Sequence, residues 1–171
     1  MIHLVSMRAF ASLAVAFAAS LSGNASFASS DGLVDRGEYL ATIMDCAGCH
    51  TGGVLAGKPD PTRHLSGSEV GFQLPELGVF YPPNLTPDVE TGLGRWSKDE
   101  ILQAVRHGLR PDGRELAPIM PWRSYGALND EDAAALVAYL KSLPPISFKA
   151  PGPFGESETP TGPYLTVVVP E

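Results

Sequence analysis

The 171-residue chain reads as one all-α domain in which helices carry long irregular loops around a rigid centre. Three observations support that class. Apolar residues recur at helical spacing in segments near 32–44, 97–108 and 129–143. Between the first two, residues 51–95 hold no long periodic segment and are broken by Gly52-Gly53, Lys58-Pro59, Asp60-Pro61, Ser66-Gly67 and Pro82-Pro83. Sixteen prolines and eighteen glycines are many for this length, and a loop so long inside a compact domain needs something to cover. Apolar content of 44% and charged content of 18% exclude a disordered chain and a multi-span membrane protein.

The first 28 residues are set apart from the fold. Arg8 is their only charged side chain, and Ala9 to Leu21 is an apolar run of about thirteen residues, where a membrane-spanning helix needs roughly 17–25. Small residues follow. A basic start, an apolar middle and small residues before a cut describe a secretory signal, with cleavage expected after Ala28 and Ser26 and Ala28 at the small-residue positions. An uncleaved N-terminal anchor is the other reading. The expected layout is a signal peptide at 1–28, one domain at 29–149 and a Pro/Gly-rich tail at 150–171. Export points to a bacterial periplasm, with no stable membrane insertion after cleavage. Losing Arg8 takes the formal charge from −7 to −8. Without a basic stripe, nucleic acid and anionic lipid are poor partners. An acidic surface instead suits proteins offering basic or apolar docking patches.

Asp31 is expected to cap a first helix from about Gly32 to Met44. Leu33, Gly37, Tyr39, Leu40 and Ile43 lie on a broad face, and Gly37 is a site where another helix can come close. At its end stands Cys46-Ala47-Gly48-Cys49-His50, the Cys-x-x-Cys-His pattern of c-type haem attachment. Each thiol can add to one vinyl group of the porphyrin, and the adjoining His50 can give an imidazole nitrogen to iron. Other uses of two cysteines fit less well. A disulfide this short closes almost no loop. A thioredoxin-like pair needs a preceding strand, whereas here a helical pattern precedes. A zinc site would have to recruit the scattered His64 and His107.

In the long loop, Val70, Phe72, Leu74, Leu77, Val79, Phe80 and Tyr81 are expected to line a haem face or join the core, with a short hairpin through Glu76 to Gly78. Ser97-Lys98-Asp99-Glu100 is a capping box opening a helix to about Gly108. Asn129 caps a last helix whose Asp130, Glu131 and Asp132 suit its positive end and Lys141 the other, until Pro144-Pro145 stops it. Tyr139 or Leu140 is expected opposite Gly37. The terminal Tyr164-Leu165-Thr166-Val167-Val168-Val169 run is expected to dock on the domain's own surface rather than serve a partner.

An iron used only for electron transfer needs a sixth ligand. After signal removal the methionines are Met44 and Met120. Met44 sits on the helix that carries the cysteines. Met120 lies between Pro118 and Pro121, which keep its segment from becoming helix and hold the thioether out. Met120 is therefore the expected ligand, with His64 or His107 second. His/Met ligation favours ferrous iron and leaves no open position. Arg63, Arg95, Arg106 and Arg123 are candidates for pairing with haem propionates, beside Trp96 and Trp122.

The chain resembles class I c-type cytochromes. More narrowly, it is similar to one haem domain of the cytochrome c subunits of bacterial membrane-bound alcohol, aldehyde and gluconate dehydrogenases. The matching residues are Arg36-Gly37-Glu38-Tyr39-Leu40-Ala41, Tyr81-Pro82-Pro83-Asn84-Leu85-Thr86-Pro87-Asp88, Thr91-Gly92-Leu93-Gly94-Arg95-Trp96-Ser97, Met120-Pro121 and Leu128-Asn129-Asp130-Glu131-Asp132. The resemblance implies N- and C-terminal helices crossing beside one haem c held by Cys46 and Cys49 and ligated by His50 and Met120. Those subunits carry several haem domains, while this chain has one Cys-x-x-Cys-His motif. The expectation is a periplasmic monohaem carrier, not an enzyme. It would take single electrons from a dehydrogenase donor and pass them to a cytochrome or terminal oxidase. Its alternatives are a dedicated subunit of one dehydrogenase complex, and a haem enzyme or gas sensor with an open iron.

Overall fold

The structure, a computed structural model, describes residues 30–170. The expected signal segment and its cut after Ala28 lie outside the described residues. Five helices run in order: α1 (Ser30–Ile43), α2 (Cys46–His50), α3 (Lys98–His107), α4 (Trp122–Tyr125) and α5 (Asp130–Ser142). The first and last of these make the largest contact in the fold. Their meeting point is Gly37, where an added Cβ would run into the carbonyl oxygen of Ala135 and, at 2.6 Å, the Cβ of Tyr139. Tyr139 thus fills the space that Gly37 leaves. From this contact the core spreads through Ala41, Leu136, Val137 and Leu140 to Ile101 of α3 and to Leu65 and Leu93 of the loops.

Local chemistry sets most helix ends. Asp31 lies in the first turn of α1 rather than at a cap, where its charge still suits the positive helix end. At α3, Ser97 accepts from the Glu100 amide while Glu100 accepts from the Ser97 amide, and Gly108 closes the other end at φ 69. At α5, the Asn129 side chain accepts from the Asp132 amide at 2.7 Å. Replacing Asn129 by alanine should cost about 1 kcal/mol, because that amide loses its acceptor. A thermal melt of Asn129→Ala falling by roughly 3 °C is the expected result, and an unchanged melt would count against the cap. Lys141 does more than face the end of its helix. Its Nζ donates to the carbonyls of Leu93 at 2.8 Å and Trp96 at 2.6 Å, tying α5 to the loop that leads into α3.

The expectation of an all-α chain is corrected by a small sheet of order β2-β1-β3. Strands β1 (Gly71–Leu74) and β2 (Gly78–Phe80) form an antiparallel hairpin in which Phe72 faces Phe80. Its turn places Glu76 at φ 63. The third strand, β3 (Tyr164–Leu165), comes from the tail and pairs parallel to β1. Periodicity cannot show strands this short, and the β1–β3 partners lie about ninety residues apart. The tail therefore docks on the chain's own surface. Phe154 bridges Val79, its ring meets Tyr81 edge-on at 6.0 Å, and the Tyr81 hydroxyl donates to the Gly162 carbonyl at 2.7 Å. Val79 and Tyr81, read from the sequence as loop lining, are packed against the tail. Val167, Val168 and Val169 run past the last pairing and stay exposed.

Candidate haem site

Helix α1 ends at Ile43, and the chain turns on Asp45, whose φ is 53. Few residues other than glycine accept that left-handed backbone, and Asp is among them. The Asp45 N–H donates to the Thr42 carbonyl and the Gly48 N–H to that of Asp45, both at 3.1 Å, which starts α2 in a new direction. Cys46 and Cys49 stand one helical turn apart and so share a face. Both are free, half-buried thiols. Burial pushes the Cys46 thiol up to about 11 and raises that of Cys49, and the Asp45 carboxylate adds to both shifts. Redox-active cysteines are held below the ordinary thiol range. This pair is the opposite, which weighs against the thioredoxin-like use.

His50 is buried, and its Nδ1 lies 2.8 Å from the Pro83 carbonyl oxygen. A carbonyl only accepts, so Nδ1 carries the proton and Nε2 keeps its lone pair. Burial lowers the His50 pKa, partly offset by the Pro83 carbonyl, so the imidazole is neutral. A neutral ring with one nitrogen hydrogen-bonded to the backbone and a lone pair on the other is the form in which histidine ligates metal. The ring's own backbone is fixed as well, since the His50 carbonyl accepts from the Gly67 N–H at 2.7 Å.

Met120 is half-buried on a turn anchored at both ends. Upstream, the Leu116 N–H donates to the Gly108 carbonyl at 2.7 Å. The Trp122 ring lies so close over Gly108 that a Cβ there would meet Cε2 at 2.5 Å. Downstream, α4 carries Tyr125, whose hydroxyl donates to the Met44 carbonyl at 2.9 Å, two residues before Cys46. The turn is thereby pinned between the end of α3 and the start of the cysteine motif. Met44 itself packs against the core.

The runner-up histidines are otherwise placed. His64 Nε2 is 3.1 Å from the Tyr139 hydroxyl, and His107 is exposed in the last turn of α3. Among the described residues no three His, Cys, Asp or Glu side chains group as a metal site. Each candidate arginine has an acidic neighbour. Arg63 pairs with Glu69 at 3.2 Å, Arg95 with Glu90, Arg106 with Asp130 at 2.7 Å and Arg123 with Glu115 at 3.5 Å. The sequence reading missed the part of Pro83, which acts through a backbone carbonyl and leaves no side-chain signal. It also missed Asn84, a buried polar residue in a loop that served only as part of a resemblance.

These residues fit haem c. Two unbridged thiols share one helical face, beside a histidine whose Nε2 is freed by the bond at Nδ1. The sequence profile described as Cytochrome c matches residues 34–144, and the chain belongs to that family, which carries covalently bound haem and transports electrons. The match implies a class I fold, and the chain carries a three-stranded sheet beside its helices. Its relatives include the gluconate 2-dehydrogenase cytochrome c subunit of Pantoea cypripedii, 44% identical over 64% of this chain and 23% of the relative. The cytochrome c subunit of the quinone-type alcohol dehydrogenase of Gluconobacter oxydans is 32% identical over 82% of this chain and 27% of its own length. A nicotinate dehydrogenase subunit of Pseudomonas putida is 40% identical over 70% of this chain and 9% of its own length. The chain thus aligns with about a quarter or less of each of these relatives.

Proposed function

We propose that this protein is an exported monohaem cytochrome c that takes one electron from a dehydrogenase and gives it to a downstream cytochrome or terminal oxidase. The observation that carries the reading is the 2.8 Å contact between His50 Nδ1 and Pro83, which leaves Nε2 to bind iron. Cys46 and Cys49 would form the two thioether links, His50 the ligand on one face and Met120 the ligand on the other. When bound, haem c supplies an iron that changes by one electron between ferric and ferrous states. The chain's own residues do the rest. The Pro83 carbonyl orients His50 and strengthens its donation to the metal. The Met120 thioether, on the turn anchored by Gly108 and Tyr125, would hold the iron as a soft ligand and would favour its ferrous state. No described helix is long and apolar enough to cross a membrane. Export rests on the 1–28 signal pattern.

A second reading, a dedicated electron-transfer subunit of one dehydrogenase complex, is favoured by the names of the relatives and uses the same site. Stable co-purification with a large catalytic subunit would select it. Absorption spectra of the wild type and Met120→Ala, oxidised, reduced and reduced under carbon monoxide, test the shared reading. The wild type should give a c-type reduced spectrum indifferent to carbon monoxide. A red methionine–iron band should be present in its oxidised form and lost in the variant, which should bind carbon monoxide. A wild type that binds carbon monoxide readily would replace the carrier by a haem enzyme or gas sensor.

A further inference from the structure

Residues 146–148 lie just past the family match, which ends at 144, and they meet both loops that hold His50. On the first loop the link is Asn84, next to Pro83 and only 2% exposed. Its Nδ2 donates to the Ile146 carbonyl at 2.7 Å and to Thr91 Oγ1 at 3.0 Å. Its Oδ1 accepts from the Thr86 amide at 2.9 Å and from the Thr86 hydroxyl at 2.8 Å. All four of its hydrogen-bonding positions are therefore used. The strap replies through its own amides: Ile146 N–H donates to Thr86 Oγ1 and Phe148 N–H to Thr91 Oγ1, both at 3.1 Å.

The second loop is reached through Arg63. Its guanidinium lies 4.0 Å from the centre of the Phe148 ring, close enough for a cation–π contact. The same group donates to Glu69 at 3.2 Å and to the Gly67 carbonyl at 3.4 Å, and Gly67 is the residue whose N–H holds the His50 carbonyl. Ile146 and Phe148 of this strap thus brace the backbone that binds the His50 ring and the backbone that binds its main chain.

We infer that residues 146–148 are a clasp on the His50 side of the site, with Asn84 positioning the Pro83 carbonyl on His50 Nδ1 and Phe148, through Arg63, steadying the Gly67 hold on the His50 main chain. The inference rests on the reading of His50 as the iron ligand. A bond from Nδ1 to a carbonyl makes the imidazole a stronger donor and favours ferric iron, so loosening the clasp raises the midpoint potential. A buried, fully satisfied amide in such a network is poorly replaced by a group that cannot donate.

The test uses the haem-loaded protein and three variants: Phe148→Ala, Asn84→Asp and, as a control on the same tail that packs on Val79 and Tyr81 and not on Asn84 or Arg63, Phe154→Ala. Two quantities are read, the solvent exchange of the His50 Nδ1 proton by NMR of the ferrous form and the midpoint potential. Phe148→Ala and Asn84→Asp should speed the exchange about tenfold or more, and Phe148→Ala, which adds no charge, should also raise the potential, because the loops open locally. Phe154→Ala should lower the thermal midpoint but leave both readings alone. Unchanged exchange and potential in folded Phe148→Ala would overturn the clasp, as would an equal response in Phe154→Ala. If Asn84→Asp does not fold, Phe148→Ala decides alone. A wild type without covalent, six-coordinate haem would sink the proposed function itself, which is a distinguishable failure.

Discussion

Cys46→Ala/Cys49→Ala should leave no haem on the chain after denaturation. Haem staining of a denaturing gel reads this directly, and the mass of the chain should fall to that of the bare polypeptide. The two thiols are the covalent attachment points in the proposed site, and no other cysteine exists in the sequence to substitute for them. Each single variant should keep stain through the remaining link, since the thiols act on separate vinyl groups. Their raised pKa values bear on the same point. Burial and Asp45 move both thiols further from the thiolate that disulfide chemistry uses, so removing them should matter for attachment and not for disulfide chemistry. Stain persisting in the double variant would refute the assignment of both residues.

Gly37→Ala should destabilise the protein even though alanine is the better helix former. The propensity gain is about 1 kcal/mol. Against it stands a Cβ driven into the Ala135 carbonyl and the Tyr139 Cβ, neither of which can rotate away. Overpacking of this kind typically costs about 1–3 kcal/mol and more when backbone must move, so the clash should win by about 2 kcal/mol. The thermal midpoint should drop by roughly 5–8 °C. Gly37→Val, with a smaller propensity gain to set against a larger clash, should fall further. A melt that rises in Gly37→Ala would mean that the two helices are not in contact there.

How far the sequence can be read depends on the range of the interaction. Ser97, Asn129 and Gly108 act on amides and carbonyls a few residues away, so their roles at the ends of α3 and α5 are legible from local pattern. Cys46, Cys49 and His50 are legible because one short run carries both attachment and ligation chemistry. Gly37 is legible as a place for a neighbour, and Tyr139 is one of two residues expected to fill it. His64 and the four arginines stand as candidates in the sequence because residue type alone does not say whether a side chain is already engaged. The structure engages His64 with Tyr139 and gives each arginine a carboxylate.

The helical segments, the punctuated loop, the attachment motif and the methionine held between two prolines are all written in the sequence. They follow from spacing and from conformational limits that a few neighbouring residues impose on each other. It took the folded chain to show that the Pro83 carbonyl selects the His50 tautomer, that Asn84 joins residue 146, and that β3 completes a sheet begun at Gly71. Those contacts span 33, 62 and about ninety residues, and each of them runs through backbone atoms that every residue possesses. No side-chain pattern encodes them, because their partners are chosen by where the folded chain brings backbone together.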